Sequence, residues 1–248
     1  MMDTNQHQPI LQADGLQQHY GTARALDGVS LAFAEGTSTA IMGASGSGKT
    51  TLLHALAGII TPGAGSVRYA GAEISRLSDA ERSRLRREHF GFVFQQGLLV
   101  PELTAVENVA LALMLNGMSK RDAVGPSAQW LAALGLAGLE DRRIGQLSGG
   151  QAQRVAIARA QVGGARIVFA DEPTGALDSA TSSEVMAALL ASTVGQGRTL
   201  VVVTHDPAVA ARCQRVVTMR DGRVSAEQPG AASEHRTEAP QSGIGAAR

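Results

Sequence analysis

The sequence predicts an α/β fold in which a mostly parallel core sheet carries an N-terminal antiparallel β layer and an inserted helical subdomain. Three observations lead there. The octet Gly43-Ala44-Ser45-Gly46-Ser47-Gly48-Lys49-Thr50 matches G-x-x-x-x-G-K-[ST] between a short apolar strand and a helix. Apolar runs at 90–94, 167–170 and 200–204 alternate with helical stretches, the pattern of parallel strands covered on both faces. Leu147-Ser148-Gly149-Gly150-Gln151 adds a second glycine-rich helix start, far along the chain from the first.

The elements follow in order. Residues 10–35 read as short alternating segments with turns at Asp14-Gly15 and Asp27-Gly28, which suits the antiparallel layer. Residues 39–42 form the strand entering the octet, and 50–57 continue as a helix ending near Gly58. From about 97 to 162 the chain looks helical. Thr104-Ala105-Val106-Glu107 is a capping box opening the run 109–115, and Gly125-Pro126 is expected to break a second helix before 128–134. Trp130 sits among Leu131 and Leu134 as a packing anchor. The expected division is a flexible 1–9, one domain over 10–225 containing the helical insertion 97–162, and a disordered tail over 226–248, which is rich in Ser, Glu, Pro and Gly.

Composition excludes several functions. Lys+Arg and Asp+Glu are both 22, so no overall field draws nucleic acid to the chain. The longest aliphatic run, 109–115, is far shorter than the roughly 20 apolar residues that span a membrane. Residues 1–8 are polar and lack the regions of a signal peptide, so the expected location is cytoplasmic. The single cysteine, Cys213, forms no internal disulfide or cysteine zinc site and reads as an inert helix position. Lys49 and Lys120 are the only lysines in an arginine-rich chain, and Lys49 stands where a compact ammonium must enter a narrow phosphate cradle.

The octet assigns roles residue by residue. Backbone N–H groups over 43–49 should wrap the phosphates of ATP at a helix N-terminus, with Thr51 beside them. Lys49 should reach the β- and γ-phosphates, and the Thr50 hydroxyl should ligate Mg²⁺. Ile167-Val168-Phe169-Ala170-Asp171-Glu172 ends a buried strand in two carboxylates at the ligand edge of a parallel sheet. Asp171 is the Mg²⁺-side carboxylate, and Glu172, one residue further out, is the base for the attacking water.

Ser148-x-x-Gln151 is itself a capping-box pattern, and Gly149 and Gly150 are expected to leave the first helical turn bare. A bare, capped helix start is a phosphate-binding surface, and one ATP does not need two from one chain. The simplest use is in trans, with two copies meeting head to tail.

With these motifs the chain resembles the ATP-binding subunit of an ABC transporter over about residues 10 to 225. That resemblance implies a P-loop NTPase with an ABC-type ATPase head, and it adds four positions. Tyr20 falls where the family stacks an aromatic on adenine. Gln95, after Phe92-Val93-Phe94, matches the Q-loop glutamine that approaches Mg²⁺ and the attacking water. Asp178, in Ala176-Leu177-Asp178, matches the D-loop that crosses the dimer interface. His205, after Val201-Val202-Val203-Thr204, matches the switch histidine on the γ-phosphate. The wording of these motifs is similar to the macrolide-exporter, lipoprotein-release and cell-division branch. The resemblance therefore implies a homodimer, or a pair with a related ATPase subunit, driving a separate integral-membrane permease from the cytoplasmic face. An exporter or mechanotransmission system is expected, with membrane contact through the permease only.

Ala152 departs from the polar residue usual after the signature. Arg82, Arg84, Arg86 and Arg87 read as a solvated helix face, with contact to the permease or anionic headgroups as the sharper alternative. A non-transport ATPase of DNA repair or chromosome organisation would share the head. It would also insert coiled coils or zinc modules, and the chain between Lys49 and Leu147 has neither sustained heptads nor a cysteine cluster. A small-molecule kinase would leave the signature, Gln95 and His205 without a role.

Overall fold

A computed structural model describes residues 9–95 and 97–231. The chain opens with a long hairpin, β1 (Leu11–Tyr20) and β2 (Ala23–Phe33). β3 (Ser38–Met42) then leads through the glycine-rich loop into α1 (Lys49–Leu56). β4 (Ala64–Tyr69) and β5 (Ala72–Glu73) complete the antiparallel layer, in the order β2-β1-β4-β5. α2 (Asp79–His89) precedes β6 (Phe90–Phe94). The helical insertion follows as α3 (Ala105–Met114), α4 (Lys120–Ala133) and α5 (Gly149–Val162). β7 (Ile167–Asp171), α6 (Ser179–Thr193), β8 (Thr199–Thr204), α7 (Pro207–Ala210), β9 (Arg215–Arg220) and β10 (Arg223–Pro229) close the chain. The second sheet runs β10-β9-β3-β8-β7-β6, parallel from β9 to β6, with β10 antiparallel at its edge.

Strand alternation divides the core in two. Ile167, Phe169, Val201 and Val203 face one way and join Leu52, Leu53 and Leu56 of α1 and the inner face of the antiparallel layer. Val168, Ala170, Leu200 and Val202 face the other way, against Val109 of α3, Val155 and Ile157 of α5, and Val185 and Leu189 of α6. Both faces of the parallel sheet are therefore covered, as its continuous apolar strands require. Trp130 packs half-buried against the second cluster, with the Arg198 guanidinium 5.5 Å from its ring centroid.

Four local expectations are corrected. Asp14-Gly15 and Asp27-Gly28 are not turns. They lie inside β1 and β2, where the pairing register slips, and the hairpin reverses at Gly21-Thr22. A turn dipeptide within a strand gives a bulge when cross-strand pairing continues on both sides of it. The second is Pro126, which does not break α4. It is exposed on the helix's outer side, where water can satisfy the carbonyl it frees, while buried Ala123, Ser127 and Leu131 anchor the inner side. The third is Cys213, which lies in the turn between α7 and β9 rather than in a helix, and burial pushes its thiol up to about 12. The last is the expected tail, whose first part is ordered. Residues 226–229 pair with β9 from Ala226 opposite Thr218 to Pro229 opposite Arg215, and Arg215 holds Glu227 at 2.6 Å. Edge pairing draws on backbone groups, so apolar scarcity does not forbid it. Residues 1–8 and 232–248 lie outside the described residues.

Candidate functional site

Four neighbouring strands, β6, β7, β8 and β3, end at one edge of the parallel sheet, and each delivers a polar group there. The loop after β3 wraps onto α1, whose N-terminal position is Gly48 at φ +98°. A side chain at Gly48 would place its Cβ 2.2 Å from the Ala25 carbonyl oxygen, so only glycine permits this close return of the loop against β2. Lys49 is 8% exposed, and its Nζ donates to the carbonyls of Gly43 at 2.8 Å and Ala44 at 2.9 Å. The ammonium is thus held inside the loop curve, facing the space into which the first N–H groups of α1 open. That space is a cavity of about 790 Å³ walled by the loop, Thr50, Thr51, Gln95, Glu172 and His205.

At the cavity's inner end the Thr50 hydroxyl lies 3.5 Å from Asp171 Oδ1. Burial pushes the Asp171 carboxyl above the usual carboxylate range, with the Thr50 hydrogen bond working against that shift. Among the described residues no group of three or more His, Cys, Asp or Glu could hold a metal alone. One hydroxyl and one carboxylate are the hard oxygen donors suited to Mg²⁺, which keeps most of its shell as phosphate and water. The residues present therefore fit an ion that arrives with a nucleotide.

Glu172 stands at φ +47°, in the left-handed region that a non-glycine residue rarely occupies. Its backbone N–H donates to Val203 O at 2.9 Å, and both carboxylate oxygens are engaged by the end of β8. His205 Nδ1 lies 2.8 Å from Oε1, and the buried Thr204 hydroxyl donates to Oε2 at 3.3 Å. Thr204 also accepts from the Asp206 N–H at 3.0 Å. Thr204 and Ala25 are the site residues that sequence reasoning missed. Thr204 could have been suspected as a polar residue at the end of a buried strand, whereas Ala25 carries no chemical signal at all.

Other expected positions are distributed differently. Gln95 lines the cavity, with its amide packed on Gly175. Tyr20 is 54% exposed at the end of β1 and outside the cavity wall, while Ala25, on the paired strand, is part of that wall. Ser148 caps α5 as its pattern implies: its hydroxyl accepts from the Gln151 N–H at 3.2 Å, and its own N–H donates to the Gln151 side chain at 2.9 Å. Ser148 and Gly149 are exposed, and none of Ser148, Gly149, Gly150 and Gln151 lines the chain's own cavity.

The expected bare first turn needs correction at Gly150, which is buried against α6. A Cβ there would meet Thr181 Cγ2 at 2.4 Å, so this glycine serves helix packing. Asp178 is the N-cap of α6. It accepts from the N–H groups of Ala180 and Thr181 and from the Thr181 hydroxyl at 2.6 Å, and that hydroxyl holds its carboxyl below the usual range. The arginine cluster on α2 divides as well. Arg82 is buried and bonds Thr61 and Asp79, Arg86 bonds the Gly58 carbonyl and Ser83, and Arg84 pairs with Glu88. Two of the four arginines thus tie α2 to the turn after α1 and do not form a solvated face.

A phosphate loop, a strand-end carboxylate pair and a histidine just past the end of the adjacent strand define a nucleoside triphosphatase of the P-loop class. The family model described as ABC transporter matches residues 26–175, and the chain belongs to that family as an ATP-binding cassette. It is 44% identical over 225 residues to the macrolide export ATP-binding/permease protein MacB 1 of Aeromonas hydrophila, covering 89% of this chain and 35% of that protein. It is 45% identical to MacB 1/2 of Paracoccus denitrificans, covering 89% and 33%. The chain spans about a third of the length of these relatives. Among solved structures it is similar to the dimeric post-hydrolysis state of the ATP-binding cassette MJ0796 bound to ADP and Pi. The TM-score is 0.80 and the identity 38%, over 88% of this chain and 98% of that one. It is also similar to cbiO1 of Clostridium perfringens, part of the ABC transporter complex cbiONQ, with TM-score 0.82, 29% identity and coverage of 94% and 92%. Among the described residues no helix is long and apolar enough to cross a membrane.

Proposed function

We propose that this cassette hydrolyses ATP as one half of a pair and drives a membrane permease from the cytoplasmic face. The observation that carries the reading is the position of the signature. A capped, exposed helix start with phosphate-binding character lies outside the cavity of its own chain, so its nucleotide is one held by a second cassette. The likeness to a dimeric cassette bound to ADP and Pi, and to exporters whose names join an ATP-binding part to a permease, supports it.

In this reading the loop N–H groups and Lys49 bind the phosphates, and Tyr20 covers the adenine from the rim. Thr50 and Asp171, with Gln95 nearby, would hold a Mg²⁺ ion arriving with the nucleotide, and that ion would supply charge neutralisation. Glu172 accepts a proton from the attacking water as its oxygen bonds the γ-phosphorus. The bond to the bridging oxygen breaks, and its electron pair leaves with ADP. His205, bonded to Glu172 in this structure, turns to the γ-phosphate when nucleotide arrives, which frees one carboxylate oxygen for the water. Asp178 shapes the segment that crosses between cassettes. Closing of the pair moves the helical insertion and thereby the permease.

Two variants test the reading. Glu172→Gln keeps the size and shape of the side chain but removes its ability to take a proton, and should lower kcat by about 10²–10⁴-fold while retaining an ATP-stabilised dimer by size-exclusion chromatography. Ser148→Arg should abolish that dimer while leaving ATP binding to the monomer intact. Wild-type turnover in the first, or normal ATP-dependent dimerisation in the second, would overturn it.

A further inference from the structure

Helix α5 holds more than the signature. Further along it, two side chains reach across to the loop that follows β6 and carries Gln95. Gln153, 4% exposed, donates from Nε2 to the Phe94 carbonyl at 2.9 Å. Arg159 spreads its fork over the other side of the same loop, with Nη2 on the Gly97 carbonyl at 2.6 Å and Nη1 on the Leu98 carbonyl at 2.8 Å. Backbone carbonyls on both sides of Gln95 are therefore fixed to one helix.

The loop conformation would not hold by itself. Leu98 sits at φ +46°, and a non-glycine residue there is strained unless its surroundings over-determine it. Leu98 is 60% exposed, so packing of its side chain does not supply the constraint, while the Arg159 bond to its carbonyl does. At about 1.5 Å per residue, Ser148 and Arg159 are about 16 Å apart along a continuous helix. One rigid element thus presents its N-terminus outward and grips the Gln95 loop with its body.

We propose that Gln153 and Arg159 are positioning residues that make Gln95 follow α5, so that nucleotide on the partner cassette, seated against Ser148, sets Gln95 at the helix's own site. The inference rests on the paired-cassette reading above and adds a route of communication between the two sites. A merely structural role would stabilise the loop without making its effect conditional on Gln95.

The test is a double-substitution cycle on the full chain, with Arg159→Met and Gln95→Ala singly and together, read as kcat at saturating ATP and as the Hill coefficient for ATP. The expected result is a kcat at least tenfold lower in Arg159→Met, with ATP binding within about twofold of wild type. The same substitution should add less than twofold on the Gln95→Ala background. The wild-type Hill coefficient should exceed about 1.5 and fall toward 1 in Arg159→Met. Arg159→Lys, which keeps one donor, should recover part of the loss. Gln153→Met, which removes the other contact, should reproduce the defect should Arg159→Met fold poorly. Independent, multiplicative effects of the two substitutions, or a Hill coefficient of 1 in wild type or unchanged by substitution, would overturn the inference. A Glu172→Gln protein that fails to dimerise with ATP would instead overturn the paired-cassette reading.

Discussion

The two signature glycines look alike in sequence and should respond differently to alanine. At Gly150 the new Cβ would lie 2.4 Å from Thr181 Cγ2, where carbon atoms normally rest about 3.5–4.0 Å apart, so more than 1 Å must open. Thr181 cannot turn away freely, because its hydroxyl donates to Asp178 Oδ2 at 2.6 Å and its N–H to Asp178 Oδ1 at 3.0 Å. Either α5 and α6 separate, at about 1–3 kcal/mol for overpacking, or the hydroxyl gives up its bond to Asp178. The helical preference of alanine over glycine returns about 0.5–1 kcal/mol. The net loss is about 1–2 kcal/mol, or roughly 2–8 °C in Tm for a chain of this size. At Gly149 the nearest atom is Leu177 Cδ2 at 3.0 Å, the far end of a flexible side chain, so alanine should be close to neutral. Thermal unfolding of both variants checks this, with Thr181→Ser on the Gly150→Ala background expected to restore stability by removing the clashing methyl. Equal Tm values for the two alanine variants, or a lower one for Gly149→Ala, would refute the packing role.

Two further outcomes follow from titrating groups. Glu107 Oε1 accepts from Lys120 at 2.7 Å and Oε2 accepts from the Thr104 N–H at 3.0 Å, and these bonds, Lys120 first, hold its carboxyl down to about 2 from 4.5. A depressed carboxylate stabilises the fold fully above its unfolded value and loses that contribution as pH falls toward the folded value. Glu107→Gln should therefore have a lower Tm than wild type at pH 6, with the gap shrinking between pH 4.5 and pH 3; a gap independent of pH refutes it. Cys213 is fully buried with its thiol raised to about 12, so an aromatic disulfide reagent at pH 8 should label it only as the chain unfolds in urea. Rapid labelling of the native protein would contradict that burial.

What could be read in advance was what the chain states locally. The strand, loop and helix around Lys49, the apolar run ending in Asp171 and Glu172, and the capping boxes at Thr104 and Ser148 are defined by neighbours within a few residues, and the structure contains each of them. Errors arose where a local signal met a tertiary partner. Asp14-Gly15 is a good turn dipeptide, yet β1 pairs with β2 and β4 on its two sides, and the chain bulges there without reversing. Pro126 is a good helix breaker, yet Ala123 and Leu131 are buried on the same side of α4, and the helix passes through it. Arg82 and Arg86 look like solvent-facing charge until α2 meets Thr61 and Gly58.

The same distinction explains why the signature could be recognised but only half understood. Its cap closes between Ser148 and Gln151, inside one turn, so the sequence alone specifies it. Gly150 acquires its role from Thr181 on α6, and Gln153 and Arg159 acquire theirs from a loop some sixty residues earlier in the chain. No periodicity in α5 distinguishes an exposed glycine proposed to face phosphate from one that must admit a neighbouring helix. Nor does it separate an arginine in solvent from one that clamps two carbonyls. In a cassette proposed to act as a pair, the groups assigned to ATP can therefore be nominated from motifs. The groups proposed to connect one site to the other become visible only when α5, α6 and the Gln95 loop are seen in contact.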